Sequence, residues 1–250
     1  MEINSHDVLL IIDVQNDFCP GGALAVADGD AVIDVIHRIA PSFEHIILTQ
    51  DWHPAGHSSF ASAHPGKQPF EQIELSYGAQ TLWPDHCIQG SKGAEFHPAL
   101  HVPRAELILR KGYRPQIDSY SAFFENDRVT PTGLAGYLEE RNLSRVFLAG
   151  LAYDYCVGYS AVDACRVGLP AFVLRDACRA IGLGGSVAAI EAEFAKAGVV
   201  VIDSAELFDA CARANATEGI RQGLQDAERG RARPAREFFD EFKTKRGLHE

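Results

Sequence analysis

Six short, almost unbroken apolar runs punctuate the chain: DVLLIIDV (7–14), HIILTQD (45–51), ELILR (106–110), RVFLAGL (145–151), AFVLRDA (171–177) and GVVVID (198–203). Each is rich in Val, Ile and Leu and too short for a core helix, which predicts strands buried on both faces. Helical spacing fills most of the intervals. Residues 30–40 put Val32, Ile33, Ile36 and Ile39 on one side after an acidic start. Residues 131–142 open with Thr130 as N-cap and Pro131 in the first turn, and carry Leu134, Tyr137 and Leu138 on one side. Residues 155–168 space Val157, Ala161 and Cys165 four apart and stop at Gly168-Leu169-Pro170; residues 186–197 are closed by Gly198. Strand and helix alternating in this way predict an α/β three-layer sandwich, with a six-stranded, mainly parallel sheet between helices.

Two stretches depart from the alternation. Residues 52–104 are rich in His, Pro, Gly and Ser with weak periodicity, and so long an interruption inside a domain is usually functional. Residues 213–250 are polar and charged, with one further helical stretch, EFFDEFKTKR, after Pro234. The organisation expected is one domain over 1–212 and an extension, 213–250, that packs on the surface or on a partner subunit of a homo-oligomer. A chain of 250 residues buries enough apolar surface to fold without disulfides. Its formal charge of −11 argues against nucleic-acid or anionic-membrane partners. The first apolar run is broken by Asp13 and none reaches membrane-spanning length, so a cytoplasmic, reducing setting is expected, with the six cysteines free.

Ligands of open parallel sheets bind beyond the carboxyl ends of the strands, near the point where strand order reverses. Four runs deliver a polar group there: Asp13 at the end of the first, Asp51 at the end of the second, Lys111 after the third and Cys156 after the fourth. Cys156 also opens a helical pattern, where the macrodipole should lower its thiol pKa. Cys165, Cys178 and Cys211 read as small buried hydrophobes. Taken singly, Asp13 is a turn residue and Lys111 a solvated lysine. Together with Cys156 they supply a nucleophile, a base that can return its proton, and a cation that keeps the base ionised.

A second constellation is Asp51-Trp52-His53-Pro54-Ala55-Gly56-His57, with His86 from LWPDHCIQG. In an extended D-x-H, Asp51 and His53 project to one side. One carboxylate and two imidazoles form a common divalent-metal set that keeps an open position. A histidine-rich loop whose imidazoles bond to backbone remains the alternative.

DVQNDFCPGGAL, TQDWHPAGHSSFA, LWPDHCIQGSKGAEFHP, RKGYRPQIDSYSAF and GLAYDYCVGYSAVDA together resemble, in order from about residue 7 to about 205, the nicotinamidases of the isochorismatase-like cysteine hydrolase superfamily. The resemblance implies a Rossmann-like hydrolase fold and hydrolysis of nicotinamide, or of pyrazinamide-like amides, to the acid and ammonia in NAD salvage. It implies Cys156 as nucleophile forming a thioester, Asp13 as base and later acid, and Lys111 as the third member. It implies Asp51, His53 and His86 as ligands of one divalent metal, zinc ahead of iron or manganese, that holds the pyridine nitrogen, with His57 secondary. Phe18, Trp83 and Tyr120 match ring-pocket positions, and the resemblance implies a cis peptide before Ala152 that would turn its N–H, with that of Cys156, toward the amide oxygen. The chain departs from the family at Tyr153, often a threonine, which leaves the local hydrogen bonding and pocket shape open. An amidase of this fold with another small substrate, or a non-catalytic binding module, would share most of these features.

Overall fold

The computed structural model describes residues 2–207; the extension over 213–250, the boundary at 212 and Cys211 lie outside the described residues. Within the compact unit Ile3–Ala205, six strands form one sheet: β1 (Asp7–Ile12), β2 (His45–Asp51), β5 (Leu107–Lys111), β6 (Arg145–Leu151), β7 (Ala171–Arg179) and β8 (Val200–Ile202). Their order is β5-β2-β1-β6-β7-β8 and every pairing is parallel. β3 (Gln72–Leu75) and β4 (Gly78–Thr81) form a separate antiparallel hairpin inside the 52–104 stretch. The helices are α1 (Val32–Ile39), α2 (Leu134–Glu140), α3 (Gly158–Arg166) and α4 (Ser186–Ala197).

Alternation along the central strands sends side chains to two helical layers. Val8, Leu10, Ile12, Val146 and Leu148 join Leu134, Leu138, Ala161, Ala164, Ile190 and Phe194 of α2, α3 and α4 in one cluster. Phe147 points the other way, stacking on Phe172 at 4.8 Å and meeting Phe43, just past α1, at 5.2 Å. The three-layer expectation holds. Burial on both faces holds for β1, β2 and β6, whereas the third and sixth runs became the sheet edges, β5 and β8, with Ile108 and Val200 about half exposed. An edge strand lacks a neighbour whose helix would cover it.

The second helix starts later than the Thr130-Pro131 signal predicts. Pro131 instead bridges to Phe124, Thr130 donates its hydroxyl to Asp127, and α2 begins at Leu134 after Gly133. The local hydrogen bonds of Asp127 outcompete the cap. α3 also starts late, at Gly158, because Tyr153–Val157 form a π-turn between β6 and the helix.

Candidate active site

The sheet reverses its order between β1 and β6, and the side chains singled out above meet at that point. β1 ends into Asp13, whose φ of 47° turns the chain sharply off the strand. Beside it Gly150 in β6 has φ 117°, and a Cβ there would lie 2.1 Å from the Ile12 carbonyl oxygen. Only glycine lets the two strands approach where the site must form.

Lys111, at the end of β5 and fully buried, is the hub. Its Nζ lies 2.8 Å from Asp13 Oδ2, 2.6 Å from Asp51 Oδ1 and 3.4 Å from Cys156 Sγ, and it donates to the Ser119 carbonyl at 2.9 Å. Burial works against its charge, but Asp13 and Asp51 outweigh burial and hold its pKa well above the ordinary lysine range. Asp13 Oδ1 accepts the Thr49 hydroxyl at 2.6 Å. Its Oδ2 meets Lys111 and has no further partner among the described nitrogen and oxygen donors, and the carboxylate places one of its oxygens within 4.8 Å of the Cys156 sulfur. Burial and the neighbouring Asp51 charge raise the Asp13 pKa against the pull of Lys111.

One expectation is overturned. Cys156 does lie in the opening turn of the helical stretch, within the π-turn two residues ahead of α3, but its thiol is not shifted downward. Burial, with Asp13 and Asp51 adding to it, pushes the thiol well above the usual cysteine range despite Lys111. The Asp13 carboxylate is the acceptor within reach of the sulfur.

Asp51 faces two ways. While Oδ1 binds Lys111, Oδ2 lies 3.5 Å from His53 Nε2 and 3.7 Å from His86 Nε2. Both imidazoles are fixed from behind: Nδ1–H of His53 donates to the Gly112 carbonyl and Nδ1–H of His86 to the Pro84 carbonyl, each at 2.8 Å. Those bonds leave both Nε2 lone pairs pointing inward, as metal-binding histidines require. Gly112 is needed at φ 67°, since a Cβ would lie 2.4 Å from the His53 ring. The three ligand atoms fall within 4.8 Å of one another, a donor set that fits one divalent ion. His57 lies outside that set: its ring lies 4.4 Å from His53, its Nδ1 contacts Ser59 Oγ and its Nε2 the Arg114 carbonyl, and with His53 and Asp118 it forms a second group whose ligand atoms fall within 4.8 Å of one another.

A narrow cleft runs from Cys156 to this cluster, lined by Phe18, Trp83, Tyr120 and Ala152 among others. Trp83 Nε1 donates to the Tyr120 hydroxyl at 3.0 Å, and Phe18 meets His86 edge-on at 5.4 Å. The Leu151–Ala152 peptide is cis. Tyr153 is outside the cleft; its buried ring packs on Phe194 of α4, and its hydroxyl bonds Glu191 and Arg175.

Sequence reasoning passed over several supporting residues. Gln15 clamps the Asp51 backbone from both its amide atoms at 2.8 Å. Asp118 places Oδ1 3.9 Å from His53 Nε2 and takes Gln80 Nε2 on Oδ2. Asp154 accepts the backbone N–H groups of Ile181 and Gly182 and so seats Ile181 against the cleft. Tyr155 also lines it. Asp154 and Tyr155 precede Cys156 in YDYC, and Asp118 lies in QIDSYSAF, so the signal was adjacency to residues already chosen.

Comparison with known proteins finds the isochorismatase domain family over residues 7–206. A nicotinamidase of Acinetobacter baylyi is 52% identical over 208 residues, 83% of this chain and 97% of that protein. The solved nicotinamidase and pyrazinamidase of Acinetobacter baumanii superposes with a TM-score of 0.81 at 53% identity, over 82% of this chain and 99% of that one. The pyrazinamidase of Pyrococcus horikoshii in complex with zinc gives 0.63 at 31%, over 79% and 99%.

Proposed function

The chain belongs to the isochorismatase family and is a hydrolase, and from that membership and the geometry around Lys111 we propose that it is a metal-dependent nicotinamidase, converting nicotinamide to nicotinate and ammonia for NAD salvage in the cytoplasm. The observation that carries the reading is one buried ammonium touching Asp13, Cys156 and Asp51 at once, so that nucleophile and base adjoin the Asp51–His53–His86 cluster.

The proposed steps follow from these contacts. The carboxamide carbon lies over Cys156 Sγ, and the thiol proton passes to Asp13 Oδ2 as the C–S bond forms. The N–H groups of Ala152 and Cys156 hold the developing oxyanion. Asp13 gives its proton to the departing nitrogen, the C–N bond breaks, and ammonia leaves a thioester on Cys156. Asp13, again a carboxylate, takes a proton from water as the water oxygen attacks the thioester carbon. The acid departs and the sulfur regains the proton from Asp13. Lys111 stays charged throughout and keeps both carboxylates oriented. Phe18, Trp83 and Tyr120 sandwich the flat ring and exclude water. Asp51, His53 and His86 would hold the ion, zinc first among the metals, which supplies an open coordination position for the pyridine nitrogen and thereby orients the ring.

Ammonia release from nicotinamide by the purified chain tests the reading, with Cys156→Ala as the negative control. Turnover confined to pyridine and pyrazine carboxamides, lost with the thiol, is the expected result. Equal turnover of aliphatic amides after metal removal would instead make the chain a different amidase of this family.

A further inference from the structure

Cys156 is 7% exposed, and the cavity in front of it measures about 20 Å³. That is room for a water, whereas a cavity that takes benzene is about 150 Å³. An aromatic carboxamide therefore reaches the sulfur only if part of the wall swings aside.

Beyond that wall lies a groove of about 470 Å³, bordered by Gln72 and Thr81 of the β3–β4 hairpin, Tyr159 of α3 and Ser186 of α4. Cleft and groove share two lining residues, Tyr120 and Tyr155. Tyr120 is pinned. Its hydroxyl accepts Trp83 Nε1 and Gln80 Nε2, both at 3.0 Å, its backbone N–H donates to Asn126, and its ring meets three aromatic neighbours. Tyr155 is half-buried and held by two edge-on rings, Trp83 at 4.9 Å and Tyr120 at 5.4 Å. Among the described residues its hydroxyl takes no hydrogen bond.

We propose that Tyr155 is the moving door between the two spaces: substrate assembles in the outer groove, the Tyr155 ring rotates off Trp83, and the swept volume sets how large an aromatic carboxamide reaches Cys156. The groove suits this class of ligand, because Tyr155 and Tyr159 bring aromatic rings to its lining while Gln72 and Thr81 offer amide-matching donors and acceptors. Tyr155 is thus a specificity-determining residue beside the nucleophile. The inference takes its substrate from the reading above, but access to the sulfur can be measured without turnover.

The test compares alkylation of Cys156 by iodoacetamide and by a bulky N-aryl maleimide, followed at the Cys156 peptide by mass spectrometry on the metal-loaded protein. The maleimide-to-iodoacetamide rate ratio cancels changes in thiol reactivity. Tyr155→Ala is expected to raise that ratio by at least about tenfold, as removal of a gating ring should. Tyr155→Leu, which keeps an apolar side chain, should raise it less and guards against a folding defect in the alanine variant. In turnover, Tyr155→Ala should raise kcat/KM for a ring-fused carboxamide relative to nicotinamide by about tenfold, the scale of pocket-size discrimination. Leu24 also lines the cleft but not the outer groove. An unchanged ratio in both Tyr155 variants, or a rise in Leu24→Ala alone, would place the way in elsewhere and overturn the proposal. A rise in the alkylation ratio without nicotinamide hydrolysis would uphold the door and refute the proposed substrate.

Discussion

At the scale of single residues, the proposed function rests on three charges, those of Asp13, Asp51 and Lys111, held out of water at hydrogen-bonding distance. In the proposed steps Asp13 is asked for more than Lys111, because there it accepts and returns a proton twice while Lys111 only orients and neutralises. Asp13→Asn should therefore lower kcat/KM for nicotinamide by about 10³-fold or more, and Lys111→Met by no greater factor. Steady-state ammonia release decides the order. Another buried acid is unused by the chemistry. Glu125 is 1% exposed, with Arg114 Nε at 3.4 Å, and burial raises its carboxyl to about 7 from the ordinary 4.5. Folding then takes up a proton between those values, so this group's contribution to stability is greatest below pH 4.5 and is lost as pH rises toward 7. Glu125→Gln carries no such loss. Its denaturant-unfolding free energy relative to the parent should improve by about 1–2 kcal/mol from pH 4.5 to pH 8, after allowance for screening. An identical difference at both pH values would mean Glu125 stays ionised in the fold.

At the scale of elements, the strands were legible because β1, β2 and β6 are buried on both faces and read as unbroken apolar runs. Helix starts were less legible. Asp127 captured Thr130, and the π-turn at Tyr153–Val157 inserts an irregularity with no period of its own. The same irregularity decides what Tyr153 does. Pairing of β6 with β7 jumps from Leu148–Val173 to Gly150–Cys178, and from that bulge Arg175 reaches both the Tyr153 hydroxyl and Glu191 of α4. Tyr153 therefore ties the turn holding Cys156 to β7 and α4, and its departure from threonine concerns packing. Tyr153→Thr should cost about 2–4 kcal/mol of stability, within the range for removing a buried aromatic side chain. KM for nicotinamide should stay within about threefold, since a uniform pocket contact is not being removed. Denaturant melts and initial rates on the same preparation separate the two. A KM shift without loss of stability would mean that the ring's influence passes through the π-turn into the cleft.

At the scale of the whole molecule, the sequence could name the groups at the sheet edge but could not show that they converge, because convergence depends on strand order. With β5-β2-β1-β6 adjacent, Lys111, Asp51, Asp13 and the Cys156 turn become neighbours although nearly 150 residues separate the ends of the set. What stayed open from spacing alone was whether the histidines bind metal or merely backbone. Each Nδ1 of His53 and His86 does bond to backbone, and that contact is what frees Nε2 for an ion. An ion bound there would join β2 to the 52–104 stretch, and binding to the folded chain alone stabilises it by mass action, about 2.7 kcal/mol at a hundredfold excess over Kd. For a chain of this length each kcal/mol moves Tm by roughly 2–4 °C. Chelation should therefore lower Tm by about 5–10 °C and abolish ammonia release, with both restored by zinc add-back. His86→Ala should remove the chelator's effect on Tm, which separates this cluster from any other cation site. If Tm and turnover were indifferent to the chelator while Cys156→Ala still abolished activity, the imidazoles would be packing groups, and the ring would have to be oriented by Phe18, Trp83 and Tyr120 alone.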